Sequence, residues 1–161
     1  MNPKGSSSRK KRYIRVVGPR LRVLLFGILA LFALLGANSA YLSSITFLEW
    51  LSGETYENYF YQLMFLGHLV LGLLIILPVI VFGIFHIKNA WDRPKKRAAS
   101  VGYALFAISL ILLFSGLALM RVEGFEINNP DVRTVMYWAH VITPFMAVWL
   151  YILHRLAGPK I

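Results

Sequence analysis

The sequence contains no cysteine, and this absence excludes several kinds of site at once. Disulfide bonds, thiolate metal centres, iron–sulfur clusters and covalent haem attachment through a C-x-x-C-H motif all require cysteine. Acidic residues are also scarce, with 7 Asp and Glu against 17 Lys and Arg. No spacing of Ser, His and Asp indicates a catalytic cluster, so the sequence does not support an enzyme with a nucleophilic side chain.

Charged residues of either sign make up only 15% of the 161 residues, whereas 58% are hydrophobic. A soluble domain usually has about 25% charged and about 45–50% apolar residues. The net charge of +10 would be compatible with nucleic-acid binding, but the positive residues cluster at the ends of apolar runs. That pattern favours membrane lipid as the partner and not nucleic acid. The chain is therefore predicted to be an integral membrane protein.

Four stretches are long and apolar enough to cross a hydrocarbon core of about 30 Å, which requires about 20 helical residues. We predict an all-α, four-helix membrane bundle over residues 21–161, preceded by a basic tail over residues 1–20 that is disordered or rests on anionic lipid. Pro78 and Pro144 are expected to bend the second and fourth spans. The predicted spans cover residues 21–42, 60–87, 101–120 and 135–157.

The first span resembles a secretory signal peptide, because a basic start and an apolar run from Val23 to Ala37 precede small residues. The run reaches the upper length limit of the apolar core of a signal peptide, and we expect the segment to be retained as a signal anchor. Residues 43–59, which follow, are amphipathic and rich in aromatic side chains. They are predicted to form a short helix in the headgroup layer, with a docking surface for a partner protein as the alternative.

Positive residues divide unequally between the two sides of the four spans. All but two of the 17 Lys and Arg residues lie in the N-terminal segment, between spans two and three, or near the C-terminus. The other two connections carry most of the acidic residues and only Arg121 and Arg133 as cations. Because Lys and Arg are enriched on the cytoplasmic side, both termini are predicted to be cytoplasmic. The expected retention of the first span favours a bacterial inner membrane.

All four histidines lie inside two of the spans, His68 and His86 in the second and His140 and His154 in the fourth. Ionisable residues inside a membrane are functional by default, although a single histidine is more simply explained by a helix–helix hydrogen bond. The histidines are about five helical turns apart in one span and nearly four in the other, so each pair shares a helix face. These spans run in the same direction. If they face each other, His68 meets His140 and His86 meets His154.

Two opposed imidazoles fill both axial positions of a haem iron, which suits electron transfer and leaves no position for oxygen. We therefore predict two haems, one bound by His68 and His140 on the acidic-loop side and one by His86 and His154 on the cytoplasmic side. Zinc or copper is the competing interpretation, but structural zinc prefers four ligands at one centre. A proton pathway is a further alternative, although spans two and four contain no Asp or Glu.

Residues beside the histidines have the properties that a haem site needs. Gly72, Gly83 and Ala147 would leave room for a porphyrin, although close helix packing explains small residues equally well. Arg133 on the acidic-loop side and Arg155 on the cytoplasmic side are predicted to contact haem propionates, with snorkelling to the interface as the equal alternative. Further cations at suitable depths are Arg121, Lys88 and Arg93.

The histidines, together with Gly72 and the Ser115–Gly116 pair, resemble the pattern of the membrane-embedded di-haem b-type cytochromes. These are four-helix bundles in which paired histidines on two helices bind two haems across the membrane. The resemblance covers spans two to four. The 14-residue spacing in span four is usual in that family, whereas the 18-residue spacing in span two is a turn longer. A bend at Pro78 and a steeper tilt are expected to absorb this difference.

The resemblance implies a subunit of a respiratory or photosynthetic-type redox complex that passes electrons between quinone or quinol and a partner redox protein, with no catalytic residue of its own. The implied partners are other subunits of such a complex. The acidic, aromatic connections between spans one and two and between spans three and four would suit the docking of a periplasmic cytochrome. Candidate polar residues for a quinone site are Tyr61, Gln62, Glu123 and Tyr137.

Two other functions are weighed against electron transfer. The alternative is a haem-free membrane anchor or scaffold subunit of a larger complex. A small transporter is disfavoured, because the hydropathy shows no inverted repeat and the spans contain no buried acids.

Overall fold

The structure is a computed structural model that describes residues 17–91, 96–121, 124 and 126–157. Across these residues the chain is helical and contains no strand. Four helices are long and apolar enough to cross a membrane, as expected for the predicted four-helix membrane bundle. The predicted basic tail falls almost entirely outside the described residues. The helices are α1 (Pro19–Ser52), α2 (Tyr59–Ala90), α3 (Lys96–Leu119) and α4 (Pro130–Ala157).

Asparagine caps fix where the two histidine-bearing helices begin. The Asn58 side chain accepts a hydrogen bond from a backbone N–H in the first turn of α2 at 3.0 Å. The Asn129 side chain accepts two such bonds in α4, at 3.0 and 3.2 Å, and Pro130 follows it where a missing N–H costs nothing. His68 and His140 lie nearly the same number of residues beyond these caps. The caps therefore set both histidines at a similar depth in the bundle.

Helix α1 continues past the predicted span and ends at Ser52. The separate headgroup helix predicted within residues 43–59 is instead the last part of α1. No glycine or proline interrupts residues 37–52, and hydroxyl side chains near the helix end donate to carbonyls one turn earlier in the same helix. Gly53 then ends α1 in the left-handed conformation, with φ of 73° and its N–H donating to the Glu49 carbonyl at 2.9 Å.

The helices pack as two pairs, α1 against α2 and α3 against α4. Helix α2 also touches α3 over a shorter stretch. Among the described residues, no Cα atom of α2 lies within 8 Å of a Cα atom of α4. In the part of the chain that the structure describes, the buried apolar side chains are Ile75 on α2 and Ala147 on α4. Side chains and not backbones therefore connect α2 with α4.

Helices α2 and α3 meet where the ring of Phe106 lies over Gly83. Gly83 is buried, and a methyl group at this position would overlap the ring. The room that the sequence predicts beside a porphyrin at Gly83 is therefore filled by an aromatic side chain. Glycine is required here for the close approach of α3.

We expect Gly83→Ala to destabilise the protein by about 1–3 kcal/mol, because overpacking this contact forces Phe106 or the backbone to move. Thermal unfolding in detergent, followed by circular dichroism, measures the effect as a lower Tm. Gly27→Ala is the matched control, since no described atom beyond the adjoining residues and backbone of its own helix lies within 4 Å of the place its Cβ would take. A Tm for Gly83→Ala equal to or above that of the control would contradict the contact.

Candidate functional site

The four histidines form two pairs that connect α2 with α4. The ring centroids of His68 and His140 are 6.0 Å apart, with planes inclined by 83°. Those of His86 and His154 are also 6.0 Å apart, with planes inclined by 77°. We call His68 and His140 the outer pair, and His86 and His154 the inner pair. The structure thus places each histidine of α2 beside the histidine of α4 that the helical spacing pairs with it.

The two pairs are equally close although their histidines are 18 residues apart on α2 and 14 residues apart on α4. On straight parallel helices this difference would offset one pair by about 6 Å. Pro78 lies inside α2 between its two histidines. A proline removes one helical hydrogen bond and permits a bend, so it is the position in α2 best suited to absorb the extra turn.

The separation of the rings suits one metal ion within each pair. An imidazole nitrogen binds a metal at about 2.0–2.1 Å and lies about 1.1 Å from its ring centre, so two imidazoles on opposite sides of one ion have centroids about 6.2 Å apart. The 6.0 Å found in both pairs matches this value. Within the described ranges, no three His, Asp or Glu side chains gather as a metal-binding group. A four-ligand zinc site of the structural type is therefore not formed by these residues.

Both α4 histidines are held by backbone carbonyls of α3. His140 Nδ1 lies 3.3 Å from the oxygen of Leu112, and His154 Nδ1 lies 3.0 Å from the oxygen of Ala98. A carbonyl can only accept, so both Nδ1 atoms carry the proton and both Nε2 atoms keep a lone pair. Metal-binding histidines almost always have this second hydrogen bond, which fixes the tautomer and the orientation of the ring.

A glycine of α3 lies against each of these two rings. A Cβ atom on Gly116 would be 2.9 Å from Cε1 of His140, and one on Gly102 would be 3.0 Å from Cε1 of His154. Each glycine is four residues after the carbonyl that its histidine bonds. The two glycines are 14 residues apart, as are the two histidines. Helix α3 thus contains the same imidazole-binding arrangement twice, a carbonyl acceptor followed four residues later by a glycine.

Ser115, predicted with Gly116 as part of the pattern, is close to the outer pair. Its hydroxyl lies 3.3 Å from His140 Nδ1 and donates to the Leu112 carbonyl at 3.0 Å. Its side chain is almost fully buried, with 1% of its surface exposed. The sequence alone does not single out Gly102, but its 14-residue spacing from Gly116 is a signal that could have found it.

His68 is held from the other side of the bundle, by α1. Its Nδ1 lies 3.2 Å from Oδ1 of Asn38 and 3.5 Å from the hydroxyl of Ser39. Asn38 is buried, and its Nδ2 donates to the carbonyl of Met64 at 2.8 Å. The sequence alone assigns no role in the site to α1. This helix nevertheless supplies the partner of one of the four imidazoles.

His86 is the exception among the four histidines. Its Nδ1 is buried and has no hydrogen-bond partner among the described residues. The ring stacks on Phe82 instead, with centroids 5.1 Å apart and planes inclined by 12°. The inner pair thus contains one imidazole fixed by a carbonyl and one oriented by aromatic packing.

The other predicted site residues lie at different distances from the histidines. Gly72 has open space beside it, since no described atom beyond the adjoining residues and backbone of its own helix is within 4 Å of the place its Cβ would take. Arg133 is half-buried and lies seven residues before His140, which places it on the same face of α4 about 10 Å further out. Arg155 adjoins His154 and is exposed. The contacts of both arginines with propionates stay predictions.

The predicted quinone-site residues that the structure describes lie in the first few turns of α2 and α4, on the side of the outer pair. Tyr61 is half-buried, whereas Gln62 and Tyr137 are exposed. Glu123 and Arg93 lie outside the described residues. A quinone site here stays a prediction.

The site as a whole consists of two histidine pairs at two levels of one helical bundle, with three of the four rings oriented by hydrogen bonds that they donate to α1 or α3. Comparison with protein-family models, with curated proteins and with solved structures found no match for this chain.

Proposed function

We propose that the protein is a bis-histidine di-haem b-type cytochrome that carries electrons across a membrane. The observation that supports this most is the presence of two imidazole pairs, each with 6.0 Å between ring centroids, at two levels of the bundle. The outer pair would hold one haem and the inner pair the other. Coordination by two imidazoles favours electron transfer because it leaves no iron position for oxygen.

When bound, each haem would supply an iron that accepts and donates one electron. The chain holds and orients the ligands through the carbonyls of Leu112 and Ala98, and glycines let the α4 rings lie directly on α3. Ile75 and Ala147, each seven residues inward from an outer histidine, are buried between the two levels. These apolar side chains exclude water from the region between the pairs.

We further propose that both termini are cytoplasmic and that the membrane is a bacterial inner membrane. The uneven distribution of Lys and Arg supports this orientation. The inner pair would then lie near the cytoplasmic surface, with Arg155 beside it, and the outer pair near the opposite surface, with Arg133 above it. The chain would link the quinone pool to a partner redox protein, as a subunit of a larger complex or through a periplasmic cytochrome.

The purified protein is expected to contain two haems b per chain. Haem extraction as the pyridine haemochromogen, divided by protein concentration, measures this ratio, and the reduced-minus-oxidised spectrum should show b-type bands. Because the chain has no cysteine, acidified acetone should remove all of the haem. Since bis-imidazole iron is low-spin, the ferric protein should show low-spin electron paramagnetic resonance signals.

A protein that is colourless when expressed with added haem precursor, and that binds no hemin afterwards, would refute this function. That result would instead support a haem-free anchor or scaffold subunit. In that case substitution of all four histidines should leave assembly with the larger complex intact.

A further inference from the structure

We propose that Asn38 of α1 is a positioning residue of the outer haem site. Its side-chain carbonyl accepts the Nδ1 proton of His68, fixes the tautomer and orientation of that ring, and lowers the reduction potential of the outer haem. This inference rests on the proposed haem-binding function. It assigns a role to α1, a helix that carries no histidine.

The direction of the hydrogen bond follows from the second contact of Asn38. Its Nδ2 lies 2.8 Å from the carbonyl oxygen of Met64, which can only accept, so the amide nitrogen must face Met64. Oδ1 therefore faces His68, at 3.2 Å from Nδ1. An amide oxygen has no proton to donate, so Nδ1 of His68 carries the proton. Nε2 of His68 is left with the lone pair that binds a metal.

The burial of Asn38 shows that this contact is built into the fold. With 6% of its surface exposed, Asn38 is the one buried residue of α1, a helix that is otherwise almost entirely apolar along its predicted span. Inside a membrane, a side-chain amide without hydrogen-bond partners is costly. Gly67 of α2 borders the amide, since a Cβ there would lie in ordinary van der Waals contact with Nδ2, at 3.7 Å.

Packing alone would be a simpler role, since polar side chains also hold membrane helices together. The two roles differ in what they do to iron. An acceptor on Nδ1–H gives the imidazole more anionic character and makes it a stronger ligand of ferric iron, which lowers the reduction potential. His86 has no such acceptor among the described residues, so it provides an internal reference.

The test is a potentiometric titration of both haems in the full-length protein and in two variants. Asn38→Leu keeps the size of the side chain and removes the acceptor, whereas Asn38→Asp keeps an acceptor at the same place. For Asn38→Leu, we expect the reduction equilibrium constant of one haem to rise about tenfold, which is 59 mV for one electron. The affected haem should be the one that is lost in His140→Ala. Its ferric resonance signal should shift as well, because the ring is free to rotate.

Thr143→Val is the matched control for loss of a buried polar group. Thr143 is 4% exposed, and its hydroxyl donates to the Ala139 carbonyl of its own helix at 2.7 Å. We expect both haem potentials to be unchanged in this variant. In Asn38→Asp, the outer haem should have a potential equal to or below that of the wild type.

The outcomes separate the role of Asn38 from haem binding itself. A wild type with two haems, and an outer potential that does not move in Asn38→Leu, would overturn the role of Asn38 alone. If Asn38→Leu does not fold, Asn38→Asp decides: an outer potential above wild type overturns the role, and one at or below it supports the role. A wild type without haem overturns both this role and the proposed function.

Discussion

Replacement of His140 by alanine is expected to remove one of the two proposed haems and leave the other in place. Two imidazoles would hold the iron at the outer pair, and the substitution would leave only one of them. The inner pair lies 14 residues further along α4, about 21 Å away, so its geometry should not change. The ratio of haem to protein should fall from two to one, and the low-spin signal of one haem should disappear.

His154→Ala is the matched variant for the other pair, because it removes the equivalent imidazole from the same helix. It should also bind one haem, but the remaining spectrum and potential should be those missing from His140→Ala. The spectra of the two variants should therefore add up to that of the wild type. Retention of both haems by His140→Ala would show that His68 and His140 are not the two ligands of one haem iron.

Gly116→Ala is expected to weaken haem binding at the outer site about 10–100-fold, the range typical for residues that orient metal ligands. The new methyl group would lie 2.9 Å from Cε1 of His140, so the ring must move away from α3 and from the Leu112 carbonyl. Gly102→Ala should act in the same way on the inner site, through His154. Hemin titration of the haem-depleted protein in detergent measures both affinities.

Gly36→Ala provides the control for a glycine-to-alanine change in a membrane helix, because no described atom beyond the adjoining residues and backbone of its own helix lies within 4 Å of the added methyl group. Its two hemin affinities should equal those of the wild type. If Gly116→Ala and Gly102→Ala each weaken both sites equally, the effect is a general loss of folding and not displacement of one ring. Wild-type hemin affinities in both variants would contradict the role of these two glycines in positioning the α4 imidazoles.

The main features of the fold follow from composition and length, because few backbone structures can satisfy their hydrogen bonds inside a bilayer. Four apolar runs predict four spanning helices, and helical periodicity places His68 with His86 and His140 with His154 on shared faces. The end of α1 is harder to predict. Its last ten residues are amphipathic, and the sequence contains no glycine or proline that would separate them from the span until Gly53.

The partners of the imidazoles depend on helix rotations that the sequence does not encode locally. Helix α1 is apolar nearly all round, so periodicity does not reveal that Asn38 faces His68. The carbonyls of Leu112 and Ala98 belong to the backbone and leave no sequence signal of their own. At Gly83 the sequence instead suggests a role that the structure does not support. The small residue is expected to leave room for a porphyrin, but it accommodates the Phe106 ring.

The distance between the two histidine levels has an electrical consequence. The 14 residues between His140 and His154 correspond to about 21 Å along the helix, or about two thirds of a hydrocarbon core of about 30 Å. A unit charge that crosses a whole membrane does work of about 2.3 kcal/mol per 100 mV. An electron that moves between the two levels would therefore gain or lose about 1.5 kcal/mol per 100 mV of membrane voltage. Its transfer would thus respond directly to how strongly the membrane is energised.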